Sequence, residues 1–107
     1  MIKISALYPY SRDAHFDMEY YVGKHIPLSV RLFSAHPGYH GVSVERGLTG
    51  IAPAEEPTYL ALAHFFFSSV ESFEAAIAAN GAALQADIPN YTDIAPVFQI
   101  SEVLMSA

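Results

Sequence analysis

The chain has 107 residues, 52% of them hydrophobic, with a net charge of −6 and only five Lys and Arg together. That balance excludes the basic patches that nucleic acid and anionic membranes need, no apolar run approaches the ~20 residues of a membrane span, and the start Met1-Ile2-Lys3-Ile4 lacks a signal-peptide pattern. The absence of cysteine removes disulfides, thiolate metal sites and a cysteine nucleophile, and fits a cytoplasmic location.

Ile2 to Tyr8 alternates as a strand, which the Tyr8-Pro9 turn ends. Asp17 stands as an N-cap flanked by Phe16 and Tyr21 in the manner of a hydrophobic staple. The helix it opens runs to about Ala35, where His36-Pro37-Gly38 stops it. Pro27 has no N–H and clashes with the carbonyl of Gly23, so a kink is expected there. Tyr21, His25, Leu28 and Leu32 recur on this helix at the spacing of one apolar face. Tyr39 to Glu45 reads as a second strand. Gly47 to Pro57, rich in Gly and Pro, is a long connection expected to be mobile and to rim a pocket or an interface. Thr58 to Phe67 is the third strand, and Ser68-Ser69-Val70-Glu71 reads as a capping box opening a second helix. Asn80-Gly81 is expected to break that helix, with a short continuation to Ile88 before Pro89. Val97 to Leu104 closes the chain as a fourth strand. The order β-α-β-β-α-β predicts an α+β, ferredoxin-like fold over residues 1–107 as one domain, a length that buries roughly 65% of the unfolded surface.

The third strand bears on oligomeric state. Tyr59, Ala61, Ala63, Phe65 and Phe67 point to one face, and Leu60, Leu62, His64 and Phe66 to the other. Neither face is polar, yet two helical segments cover only one side of a four-stranded sheet. The other side predicts a homodimer about a two-fold axis.

Chain-wide features carry a resemblance. Tyr8-Pro9, the run Phe16-Asp17-Met18-Glu19-Tyr20-Tyr21, His25-x-Pro27-Leu28, Tyr39 to Arg46, Asp87-Ile88-Pro89-Asn90-Tyr91 and the closing Pro96 to Val103 resemble the EthD family, named for ethyl tert-butyl ether degradation. The resemblance implies a dimeric α/β-barrel of two ferredoxin-like sheets. It implies a scaffold more firmly than a reaction, because chemistry belongs to the site. Members are often labelled reductases, but no GxGxxG fingerprint for a nicotinamide or flavin cofactor occurs.

His25 is the leading site residue, because a titratable ring on an apolar stripe beside a kink either borders a cavity or satisfies freed backbone. It reads as a general acid/base with Tyr21 one turn earlier to orient it, or as a cap for the carbonyls that Pro27 frees. Tyr20, His64, Phe66 and Tyr91 are candidate ligand-binding residues, His64 by sharing a pocket with the first helix or else as a satisfied buried histidine. Asp87, Asn90 and Tyr91 form a string read mainly as turn chemistry. No metal site is expected: His36 and His40 are four apart, but Pro37-Gly38 separates them. No cofactor is predicted. Haem stays open, since one histidine suffices as axial ligand, with His64 or His25 in that role. The function these residues point to is a pocket for a small apolar or aromatic molecule, serving a cofactor-independent oxidoreductase or isomerase. The alternative is a non-catalytic accessory protein of an oxidative degradation pathway.

Overall fold

Alternation of side chains across the strands decides how the core is built. The computed structural model describes residues 1–107. Its elements are β1 (Ile2–Pro9), α1 (Met18–Tyr20), a π-helical turn (Tyr21–His25), α2 (Ile26–Phe33), β2 (Tyr39–Arg46), β3 (Tyr59–Phe67), α3 (Val70–Asp87), a 3-10 turn (Ile88–Asn90) and β4 (Val97–Glu102). The strands form one antiparallel sheet in the order β2-β3-β1-β4, the ferredoxin-like arrangement expected from the element order. Ile2, Ile4, Ala6 and Tyr8 of β1 pair with Phe67, Phe65, Ala63 and Ala61 of β3, and all eight are buried. These residues make the face on which the helices lie. Leu60, Leu62, His64 and Phe66 occupy the opposite face and are only half-buried.

The kink takes the form of a π turn. The N–H of Ile26 reaches back five residues to the Tyr21 carbonyl, so the backbone widens just before Pro27. Pro27 follows directly in the first turn of α2, and the wider turn carries the backbone past a residue that cannot donate. The extra residue rotates the helix face. Tyr21, His25, Ile26, Ser29 and Phe33 are buried, whereas Leu28 and Leu32, expected on the stripe, are half-buried at its margin.

Helix α3 corrects two expectations. Its cap is Ser69, which accepts from the Ser72 N–H while the Ser72 hydroxyl receives the Ser69 N–H; the box starts one residue later than expected. Asn80-Gly81 does not break the helix. The Asn80 amide donates to the Ala76 carbonyl at 3.0 Å, and the alanines on both sides carry the backbone through. Between β2 and β3, Gly47 is required because a Cβ there would lie 1.9 Å from the Tyr59 carbonyl oxygen.

Candidate functional site

The first helix and the end of α3 are far apart in sequence and are joined by a short backbone clamp. The Asp17 carboxylate caps α1 by accepting from the Tyr20 N–H at 3.1 Å. Immediately upstream, Phe16 bridges to Thr92, and the Asp17 N–H donates to the Tyr91 carbonyl at 2.7 Å. The Thr92 hydroxyl donates to the His15 carbonyl at 2.7 Å, and the His15 N–H donates to Asp93 at 3.0 Å. These bonds hold the π turn beside the last turn of α3.

Asp87 sits where the two meet. Its carboxylate accepts from His25 Nδ1 at 2.8 Å, from the Tyr20 hydroxyl at 2.7 Å and from the Asn90 amide at 3.0 Å. A carboxylate has no proton to give when ionised, so the Nδ1–H of His25 donates and Nε2 keeps its lone pair. His25 therefore does not cap the carbonyls near Pro27; its partner is a side chain 62 residues away. Asp87 is also the last residue of α3, where the helix dipole disfavours an anion and no basic residue compensates. The three donors do that instead.

Burial and hydrogen bonding push the two groups in definite directions. Burial works against ionisation of Asp87, but the hydrogen bonds from Tyr20, Asn90 and His25 outweigh it and hold the carboxyl below its ordinary value of 3.8. Burial pushes His25 below its ordinary 6.5, with Asp87 offsetting part of that effect. Both directions favour an anionic carboxylate beside a neutral imidazole at neutral pH, with Nε2 unprotonated.

His25 lines a cavity of about 700 Å3 between the sheet and the helices. β1 supplies Ile4, Ala6 and Tyr8, and the first helix supplies Tyr21, His25, Ile26, Ser29 and Phe33. Ile77, Gly81 and Gln85 of α3 face Phe98 and Ile100 of β4 across the mouth, where these two β4 residues are exposed. Tyr21 stacks on His25 with ring centroids 5.9 Å apart and planes 14° from parallel. It is 1% exposed, yet its hydroxyl has no partner within the chain. Burial pushes its phenol far above the ordinary range, so Tyr21 remains a proton donor in any hydrogen bond it makes.

Of the residues singled out from sequence, His25 and Tyr21 meet in this cavity. The other four do not line it. Tyr20 turns its hydroxyl onto Asp87 and serves that carboxylate. Tyr91 is fully buried behind the wall, its ring 4.6 Å from that of His25 and its hydroxyl bonded to that of Tyr8. His64 and Phe66 lie on the opposite face of the sheet, because their positions in β3 alternate with those of Phe65 and Phe67. There His64 Nδ1 is 2.7 Å from the Ser5 hydroxyl and Nε2 is 3.6 Å from Glu45. The connection between β2 and β3 contributes no lining residue either. Tyr8 reads in the sequence only as the end of a strand, and Asp87 mainly as turn chemistry, although an acid closing a helix is itself a signal of a site role.

Haem does not fit this donor set. His64 does not line the cavity, and the cavity around His25 has no Lys or Arg to meet a porphyrin's propionates. His36 and His40 go to separate partners, Asn80 and Ser68.

Comparison with known proteins places the chain in a family. An EthD domain model matches residues 11–95. A crystal structure of an EthD-like protein from Ralstonia eutropha is 40% identical, with a TM-score of 0.92 over 99% of this chain and 94% of that one. An ethyl tert-butyl ether degradation (EthD) family protein from Bacillus halodurans is 24% identical, with a TM-score of 0.71 over 97% and 99%. SnoaB, a cofactor-independent oxygenase from Streptomyces nogalater, shares the fold at 9% identity and a TM-score of 0.69, over 98% and 94%. No curated protein matches the sequence. The chain belongs to the EthD family, with a ferredoxin-like fold shared by dimeric α/β-barrel proteins.

Proposed function

We propose that the cavity binds a small, largely apolar or aromatic molecule and that His25, oriented by Asp87, exchanges a proton with it without help from a cofactor. The observation that carries this reading is the His25–Asp87 bond at 2.8 Å, which leaves Nε2 free in an otherwise apolar cavity. A volume of about 700 Å3 lies within the range of small-molecule sites, and apolar walls with few polar groups are their usual chemistry. Buried bases oriented by a carboxylate recur wherever a proton must be taken at neutral pH. The cofactor independence of SnoaB supports the same direction. Proton abstraction then leads to isomerisation, or to oxidation where oxygen meets the resulting carbanion.

We further propose that the open face of the sheet pairs with a second copy of the chain. Leu60, Leu62 and Phe66 of β3, with Leu7 and Val97 on the strands beside them, form an apolar area that no helix covers. Light scattering at micromolar concentration tests this, with a monomer as the contrary result.

For the cavity, a panel of aromatic molecules is titrated into the protein and read by thermal shift. Binding that raises the melting temperature is expected, and none across the panel would refute the reading. His25→Gln separates catalysis from carriage: turnover lost with binding kept supports the base, whereas binding with no turnover in the wild type supports the accessory role.

A further inference from the structure

We infer that the ligand of this cavity is an uncharged ketone with an acidic C–H beside its carbonyl, held with the carbonyl oxygen on the Tyr21 hydroxyl and the C–H toward Nε2 of His25. The inference rests on the proposed role of the cavity and specifies what enters it.

Charge is the first argument. None of the residues lining the cavity is Lys, Arg, Asp or Glu. A carboxylate, phosphate or ammonium ligand would be desolvated there with no counter-ion, at a cost that apolar contact does not recover. The net charge of −6 adds repulsion against an approaching anion.

Polar capacity is the second. Ser29 already spends its proton on the His25 carbonyl, and Tyr8 and Tyr91 share one hydrogen bond that uses one of their two O–H groups. Gln85 is exposed at the mouth, and the Gln99 amide donates to Ser101. With Tyr91 as donor Tyr8 keeps its own O–H at the cavity wall, and beside it the lone pair of His25 Nε2 and the O–H of Tyr21 have no partner in the chain. The latter two belong to adjacent, nearly parallel rings. One acceptor next to one donor, in apolar surroundings, matches a ligand that presents an acidic hydrogen next to an oxygen acceptor. A hydrocarbon would leave the Tyr21 hydroxyl unpaired, a loss that hydrogen-bonding sites discriminate against strongly.

The reaction balances without an external oxidant. The C–H bond breaks and its proton goes to Nε2. The electron pair forms a C=C bond, and the carbonyl π pair moves to oxygen as an enolate. That oxygen accepts the Tyr21 hydrogen bond, while Asp87 faces the new imidazolium. Return of the proton to the same carbon gives hydrogen exchange, and to a conjugated carbon gives isomerisation.

The test uses the whole chain in D2O, with β-tetralone as the ketone, tetralin as the hydrocarbon and β-naphthoate as the anion. NMR follows binding by saturation transfer and deuterium entry beside the carbonyl. Wild-type protein is expected to bind β-tetralone and speed exchange over buffer, with little binding of β-naphthoate. His25→Gln should lose the acceleration by about two to four orders of magnitude, and Tyr21→Phe by about a hundred-fold. Binding of β-tetralone without faster exchange, unchanged exchange in Tyr21→Phe, or β-naphthoate bound as well as the ketone would each overturn the inference. Failure of both β-tetralone and tetralin to bind would instead refute the apolar pocket on which it rests.

Discussion

Each side of the sheet sets a histidine beside a carboxylate, and the two pairs differ in how they are held. On the helix side, His25 meets Asp87 at 2.8 Å with side-chain exposures of 9% and 15%. On the open side, His64 meets Glu45 at 3.6 Å with exposures of 14% and 54%. Asp87 is held by three donors, whereas Glu45 is half in water and screened. Enclosure is what separates the two pairs. A carboxylate fixed behind a buried imidazole sets its tautomer, and a solvated one beside a sheet surface does not.

The comparison breaks most sharply if the two histidines prove equivalent. His25→Gln should lower ligand turnover by about two to four orders of magnitude, and His64→Gln should leave it within a few-fold, as measured by one assay on both variants. Next in size, Asp87→Ala strands three donors and should cost about 2–3 kcal/mol, whereas Glu45→Ala should cost under about 1 kcal/mol, both read from denaturant melts. Equal losses would erase the distinction between the faces.

Acidification sharpens the same contrast. The folded value of His25 lies below its unfolded value of 6.5, so the unfolded chain takes up that proton first. The stability it contributes is full above 6.5 and is lost as pH falls through the folded value. Asp87, also lowered, adds a second loss below 3.8 in the same direction. Wild-type melts compared at about pH 7.5 and about pH 5.5 should therefore show a decline that His25→Gln reduces. A wild-type protein that gains stability across that window would show the sign to be wrong. The smallest effect concerns fold stability on the open face. Leu62→Asp should leave each chain folded, changing helical circular dichroism little, while light scattering reports a monomer.

Much of the fold was legible because strands declare their faces by alternation and helices by their stops. The β-α-β-β-α-β order, Asp17 as cap and the two sets of β3 residues were all readable in that way. Which β3 face the helices cover was not, because Ala61, Ala63, Phe65 and Phe67 are no more apolar than Leu60, Leu62 and Phe66. That ambiguity placed His64 and Phe66 in the pocket when they belong outside it. The helix stripe failed past His25 because a π turn adds a residue that a fixed 3.6 period cannot register. Leu28 and Leu32 therefore gave way to Ser29 and Phe33. The His25–Asp87 bond spans 62 residues and depends on the clamp between His15 and Asp93, which no local pattern encodes. The one local trace of it was an acid at the C-terminal end of a helix.

The measurement closest to the central claim is the tautomer and titration of His25 by nitrogen-15 NMR of the uniformly labelled protein, assigned by comparison with His25→Gln. The dyad predicts a neutral ring at pH 7 with the proton on Nδ1 and a bare Nε2, titrating below 6.5. A ring protonated on Nε2, or one that titrates above 6.5, would contradict the assignment of His25 as the oriented base.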